Sequence, residues 1–493
     1  MGEGAALAMG DAVEWEGGSR LGVAEGIDTL LREYVANPAF RSAEGSELLF
    51  SDNPFHRPVR PNDLDFVDFS HPVPSDHCSE LSALMGQRLL LNVYETDFPL
   101  VSERPLSPQA MRDRDLFYAD ENRLRGERVR PFIEKHVFTW VDSEAQVPDQ
   151  SVGRILDISL AQGHASAAGV FEAIDGCGAE HGRMARFACI QLTGVALSRE
   201  LAIGRWSCID WDGQVNRFID SCSALARATQ ADLMALSASC GLATGPHTYW
   251  QFYLAPWIGV TNYLHRCLRD PRRIDEAIGA VLFDRLRFAS VASQWRDTLA
   301  RACGFSPPPL LFAAYAESGI EHLRAQALDL LAARARVHGD EVLRAAARGI
   351  VGMQRVWYMA DEDLVAQCSW AARVHHFRRV AERYMHLIST HALEVNMETY
   401  DEASSERSTT HVHDTNRLLV IDSGEMDFWN SFGLPIHFVP GDMIYVPRHR
   451  LHGSVVTSTR CVYHQPIIDD SLSRAYAERW HPSDRADQSD DLA

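Results

Sequence analysis

The sequence predicts a multidomain α+β chain: a helical N-terminal region, a long helical bundle, and a small C-terminal β-barrel or jelly roll. Three observations carry this. At 493 residues the chain is too long for one ordinary core. From about 151 to 395 the pattern is almost wholly helical. From about 400 to 470, short β-branched and aromatic runs alternate with Gly, Pro, Ser and Asp.

The elements follow in order. Residues 1–25 are Gly/Ala/Glu-rich and are expected to be disordered. Residues 26–150 mix short helices with loops punctuated by proline ("NPFHRPVRPNDLDF") before a better helix, "RDLFYADENRLRGERVRPFIEKHVFTWV", and form an expected dimerisation region. In the bundle, 151–395, "PPLLFAAYAESGIEHLRAQALDLLAARARV" has Ile320, Leu323, Ala327 and Leu331 near helical spacing, one apolar stripe. "PRRIDEAIGAVLFDRLRFASVASQWRDTLARACG" starts after Pro271 and ends at Gly304, where helix punctuation would place its ends. "DEVLRAAARGIVGMQRVWYMADEDLVAQ" is a third long helix. "ETYDEASSERS" is polar and turn-like. After it "RLLVI", "MDFW", "IHFVPGDMIYV", "HGSVV" and "RCVYHQPII" are strand-like, and an acidic tail fills 471–493.

Composition excludes several functions. Asp and Glu total 67 against 47 Lys and Arg, a formal charge of -20, which disfavours nucleic acid and anionic membrane surfaces as partners. No apolar run is long enough to span a bilayer, and "MGEGAALAMGDAVEWEGG" carries acids where a secretory signal needs positive charge, so a cytoplasmic protein is expected. Ten cysteines without a C-x-x-C pair fit reduced thiols. The one lysine, Lys135, sits in an ordinary helical setting, which argues against a P-loop or Schiff-base chemistry. The glycines of "DGCGAEHG" lie in a helical pattern and do not form a dinucleotide loop.

The chemistry concentrates in the β region. In "STTHVHDTNRLLVIDSGEMDFW", His411 and His413 share one strand face, with Val412 opposite. In "PGDMIYVPRHRLHG", Gly441 and Pro447 flank a strand and His452 opens the next. Three converging imidazoles make a metal site with open coordination positions, the arrangement of mononuclear iron enzymes. His437, His449 and His464 lie near the same sheet without matching the spacing. Arg417, Tyr445 and Tyr463 are candidates to line the pocket, Arg417 suiting a substrate carboxylate.

This region resembles the cupins: "THVH" matches the first cupin motif and "GDMIYVPRHRLH" the second. Two departures stand out. Leu418 occupies the position of the first motif's glutamate, and His449 replaces the glycine after the second motif's proline. The resemblance therefore implies a three-His site, which favours Fe(II) over manganese and leaves Cu and Ni open.

Joined to a helical bundle, such a cupin resembles enzymes of the nitrosourea synthase type. Those have an N-terminal helical segment, a central heme-oxygenase-like bundle that can hold two irons, and a three-His cupin. Their reactions are N-hydroxylation of a guanidine in the bundle and oxidative rearrangement forming an N–N bond in the cupin. A di-iron bundle needs about four inward carboxylates and two or three histidines, and relatives carry a His-x-x-x-Asp-x-x-His run. "YAESGIEH" has His322 but Tyr315 and Gly319 at the other positions. Glu172 with His181, Glu317 with Glu321, and Glu382 with His386 are further candidates, each equally a product of an exposed helix face.

The sequence thus predicts a non-heme Fe(II), O2-using oxygenase of a small amino-acid-derived metabolite, working as a homodimer, with N-oxidation or N–N bond formation implied by resemblance. Two alternatives stand beside it: a redox-neutral metal cupin acting as isomerase or lyase, and a small-ligand sensor.

Overall fold

The structure is a computed structural model. It describes residues 20–44, 47–59, 61–100, 105–144, 150–206, 213–404, 407–433 and 435–471. The expected disorder of 1–25 lies, up to residue 19, outside the described residues, as does the expected tail from residue 472 onward.

Among the described residues, thirteen α-helices precede the strands: α1 (Arg20–Val35), α2 (Leu81–Glu95), α3 (Pro108–Phe117), α4 (Asp120–Glu144), α5 (Val152–Asp175), α6 (His181–Gly194), α7 (Ala196–Trp206), α8 (Gly213–Ser239), α9 (Ala255–Arg269), α10 (Ile274–Cys303), α11 (Glu317–His338), α12 (Glu341–Ala371) and α13 (Val374–Ser389). No described helix is long and apolar enough to cross a membrane. α10 stops where the sequence predicts, because Gly304 takes the left-handed conformation (φ 72°) that ends a helix. α10 and α12 approach backbone to backbone at Gly279 and Gly349. A Cβ on Gly279 would lie 2.0 Å from the Ala346 carbonyl oxygen, and one on Gly349 equally close to that of Glu276. α5 and α9 pack on this pair, and α2 joins them through α9 and α4.

Local differences from the sequence prediction have physical causes. "DGCGAEHG" is the link between α5 and α6, since Gly178 turns left-handed (φ 56°) after the helix has ended at Asp175. α11 starts only at Glu317. Three consecutive prolines, 307–309, lie upstream, and Phe312 adopts a left-handed conformation, so the preceding residues form turns. "ETYDEA" belongs to a strand: its polarity reflects an edge strand whose alternate residues are exposed.

The β region has eight strands: β1 (Met397–Ala403), β2 (Arg407–His411), β3 (Asn416–Ser423), β4 (Met426–Trp429), β5 (Ile436–Phe438), β6 (Met443–Val446), β7 (His452–Val456) and β8 (Arg460–Ile468). They form two antiparallel four-stranded sheets, ordered β1-β8-β3-β6 and β2-β7-β4-β5. This is a cupin-like jelly roll. Both sheets and α13 share one core, while Val412, Trp429 and Leu451 belong to the core of the helices. The β region is therefore docked on the bundle through residues adjoining its histidines.

Candidate metal centre

β2 and β7 are hydrogen-bonded neighbours, and the pairing register sets His411 directly opposite His452. β2 ends at His411, yet His413 turns back to the same side: its Nε2 lies 3.3 Å from that of His411. The ring centroids of the three imidazoles are 4.6, 4.7 and 4.9 Å apart. One nitrogen of each lies within 4.8 Å of the others, and no carboxylate belongs to the cluster. His411 and His452 are buried and His413 half-buried.

The donor set fits a cation. With metal–nitrogen bonds of about 2.1 Å, two ligand nitrogens stand about 3.0 Å apart at a right angle and about 3.4 Å apart at the tetrahedral angle. The observed 3.3 Å lies between. His452 is already oriented: its Nδ1 lies 2.8 Å from the Arg450 carbonyl, which can only accept, so Nδ1 carries the hydrogen and Nε2 presents its lone pair. The surroundings are apolar. Phe428 stacks on His452 at 5.7 Å, Trp370 meets it edge-on at 6.3 Å, and Leu418, where a cupin glutamate would stand, is fully buried.

His449 explains the glycine of the second motif. The residue has φ 61°, a conformation costly for anything but glycine. Its N–H donates to the His413 carbonyl at 2.8 Å, and its ring lies 3.3 Å from a Glu80 oxygen. His437 is half exposed against Asp427, and His464 meets the Thr399 hydroxyl.

The other predicted site residues are placed as follows. Arg417 donates to Glu398 at 2.7 Å and to Gln465 at 3.1 Å. Tyr463 donates to Glu402 at 2.8 Å and stacks on Tyr400. Tyr445 is buried between Phe377 and Tyr384 of α13, directly across the strand pair from Leu418. The sequence did not point to Gln367, Arg88 or Gln251, which hold the backbone around the histidines, or to Trp370, whose ring meets that of His452. The available signal was a buried polar residue within the apolar stripe of α12.

No protein-family model matches the chain. The chain resembles a nitrosourea synthase. It is 25% identical to the nitrosourea synthase of Streptomyces achromogenes subsp. streptozoticus over 449 residues, covering 89% of this chain and 94% of that enzyme.

Among the described residues, the helical donors do not gather into a second metal centre. Glu172, Glu321, His322, Glu382 and His386 lie on exposed faces, and His181 pairs with Asp175. The acids that are buried are taken by arginines. Arg285 forks onto Glu200, with Nη1 3.0 Å from Oε1, and the Tyr315 hydroxyl lies 3.4 Å from the same Nη1. Arg287 donates to both oxygens of Asp361, at 2.8 and 2.6 Å, with its guanidinium 3.9 Å from the Trp357 ring centre. Asp284 accepts from the Trp357 indole at 3.1 Å and lies 3.8 Å from Arg199. Among the described residues, His411, His413 and His452 are the only cluster with the spacing of a metal site.

Proposed function

We propose that this chain is a metal-dependent oxidoreductase that holds one Fe(II) on His411, His413 and His452 and acts with O2 on a small nitrogen-bearing, amino-acid-derived metabolite. The observation that carries this reading is the three-imidazole cluster without a carboxylate. The similarity along 89% of the chain to a nitrosourea synthase supports it and favours chemistry at nitrogen, including N–N bond formation, in specialised metabolism. Imidazole nitrogens suit iron as they suit copper and nickel, and the resemblance to a nitrosourea synthase favours iron among them.

Held by His411, His413 and His452, an iron ion would supply Lewis acidity and a change of redox state. The protein's own part is positional. Arg450 fixes the His452 tautomer through its carbonyl. Phe428, Trp370 and Leu418 keep the surroundings apolar and exclude water. Tyr445, on the strand face of Leu418, belongs in this reading to the wall of the site. Arg417 and Tyr463 hold the β1 edge against β3 and β8 through Glu398 and Glu402. We also assign residues 26–150 to a dimer contact, 151–395 to a heme-oxygenase-like bundle and 400–470 to the cupin, in a homodimer of the cytoplasm.

The test is iron content after anaerobic Fe(II) reconstitution, with O2 uptake on amino-acid and guanidine substrates. Wild type is expected to hold about one iron per chain and His411→Ala/His413→Ala none, with substrate-dependent O2 uptake lost alongside. Iron without O2 uptake on any substrate would turn the reading to redox-neutral chemistry. No iron in wild type would overturn it.

A further inference from the structure

The residue next to each histidine is gripped by a helical side chain or a helix start. Thr410, before His411, is 1% exposed. Its N–H donates to the Gln251 side-chain oxygen at 3.2 Å, and its carbonyl accepts from Arg88 Nη1 at 3.0 Å. Asp414, after His413, accepts at 3.0 Å from the N–H of Leu81, the first residue of α2. Leu451, before His452, has both backbone groups on one amide: its N–H donates to Gln367 Oε1 at 2.9 Å, and its carbonyl accepts from Gln367 Nε2 at 2.9 Å. The same Nε2 also reaches the Asn430 carbonyl at 2.8 Å.

The grip on His452 comes from one face of α12. Asp363, Gln367 and Trp370 follow at i, i+4 and i+7, so they stack along that face. Asp363 pairs with Arg450 at 3.1 Å, Gln367 holds Leu451, and Trp370 meets the His452 ring. Successive residues of the chain are met by successive turns of the helix. Burial pushes the Asp363 carboxyl above its ordinary range, while Arg450 pulls it back. Two and six residues before Asp363, the same helix carries Asp361 and Trp357 into the arginine cluster of the bundle.

We propose that Gln367 is a positioning residue for the metal centre: it fixes Leu451 and thereby the reach of His452, while Gln251 does the same for His411 through Thr410. The helical bundle is then the frame that sets the spacing of the metal ligands. This rests on the metal reading above. A buried glutamine that satisfies a donor and two acceptors of a neighbouring loop has no equivalent among apolar residues. Methionine fills the same volume and leaves Leu451 free to shift.

The experiment is a Co(II) titration of the full chain followed by visible absorption, in wild type, Gln367→Met and Gln251→Met. Val342→Ala, a core truncation at the far end of α12, serves as a destabilised control. Wild type is expected to bind one Co(II) per chain. Each glutamine variant should still bind it, about 10–100-fold more weakly and with a shifted d–d band, as loss of outer-shell support does elsewhere. The control should keep the wild-type band. Where Gln367→Met does not fold, Gln251→Met decides on the same readout. Wild-type affinity and band in the glutamine variants would overturn the proposal and leave the metal reading intact. A wild type that binds no Co(II) would overturn both.

Discussion

Two of the protein's buried polar clusters differ in whether their charges close. The helical cluster sets Arg199, Arg285 and Arg287 against Glu200, Asp284 and Asp361, three guanidinium groups against three carboxylates. Even where a hydrogen bond is missing, the opposite charge is close: Asp284 Oδ2, which accepts none, lies 4.0 Å from Arg285 Nε. The β cluster brings three imidazoles together edge-on or tilted, with two ring nitrogens 3.3 Å apart. Lone pairs at that distance repel unless a proton or a cation lies between them. The helical charges are balanced within their own cluster, whereas the imidazole nitrogens converge on a point that a cation could share. Metal-binding residue types alone do not decide it, since the helices contain as many acids as a di-iron site would need.

The contrast is most sharply broken at Arg285. In Arg285→Met the Glu200 carboxylate, nearly fully buried, loses its forked partner. Breaking one side of such a pair costs about 3–5 kcal/mol, whereas removing both charges together is often close to neutral. Urea unfolding should show Arg285→Met destabilised by that amount and Arg285→Met/Glu200→Met substantially recovered. The double variant should also keep the full metal content of wild type. A fall in its metal content would show that the helical acids do serve a metal, and the contrast would fail.

A second difference lies in response to acid. His265 of α9 is buried, its Nε2 3.0 Å from the Ser198 hydroxyl and its ring stacked on Tyr94, and burial pushes its pKa down to about 4. The unfolded chain protonates this histidine near pH 6.5 and the folded one only near 4. Its contribution is therefore whole above pH 6.5 and is lost progressively as pH falls toward 4, up to about 3 kcal/mol. Unfolding of chelator-treated protein, in which the metal plays no part, should lose stability across this window in wild type. His265→Gln should show a visibly flatter slope, and an unchanged slope would mean that His265 is not held neutral.

How much of this was legible in the sequence depended on the range of the interaction. The histidine cluster was legible because strand alternation puts His411 and His413 on one face and because His452 opens a strand at motif spacing. The bundle's closure was not. Glu200 and Arg285 are 85 residues apart, and nothing local marks them as partners. The acids that did stand out locally, such as Glu321 and Glu382, are on the surface. β1 was hidden for a related reason: an edge strand with one wet face has the composition of a turn, and its partner β8 comes some sixty residues later. Gln367 was invisible because its role consists of bonds to backbone groups of another region.

The smallest expected effect tests the edge of the metal site. The left-handed backbone of His449 places its N–H on the His413 carbonyl, and any residue there must adopt that conformation to keep the bond. Glycine does so freely, and alanine does not. Both lose the ring and its contact with Glu80, so the difference between them isolates the backbone. His449→Gly should therefore be more stable than His449→Ala by about 1 kcal/mol in urea unfolding, the reverse of their order in ordinary helix positions. Equal stability would mean that the loop relaxes out of the left-handed conformation, and the backbone restraint on His413 would go with it. The glycine order would place a strained residue beside the metal ligands, while the helical charge cluster stands on regular helix throughout.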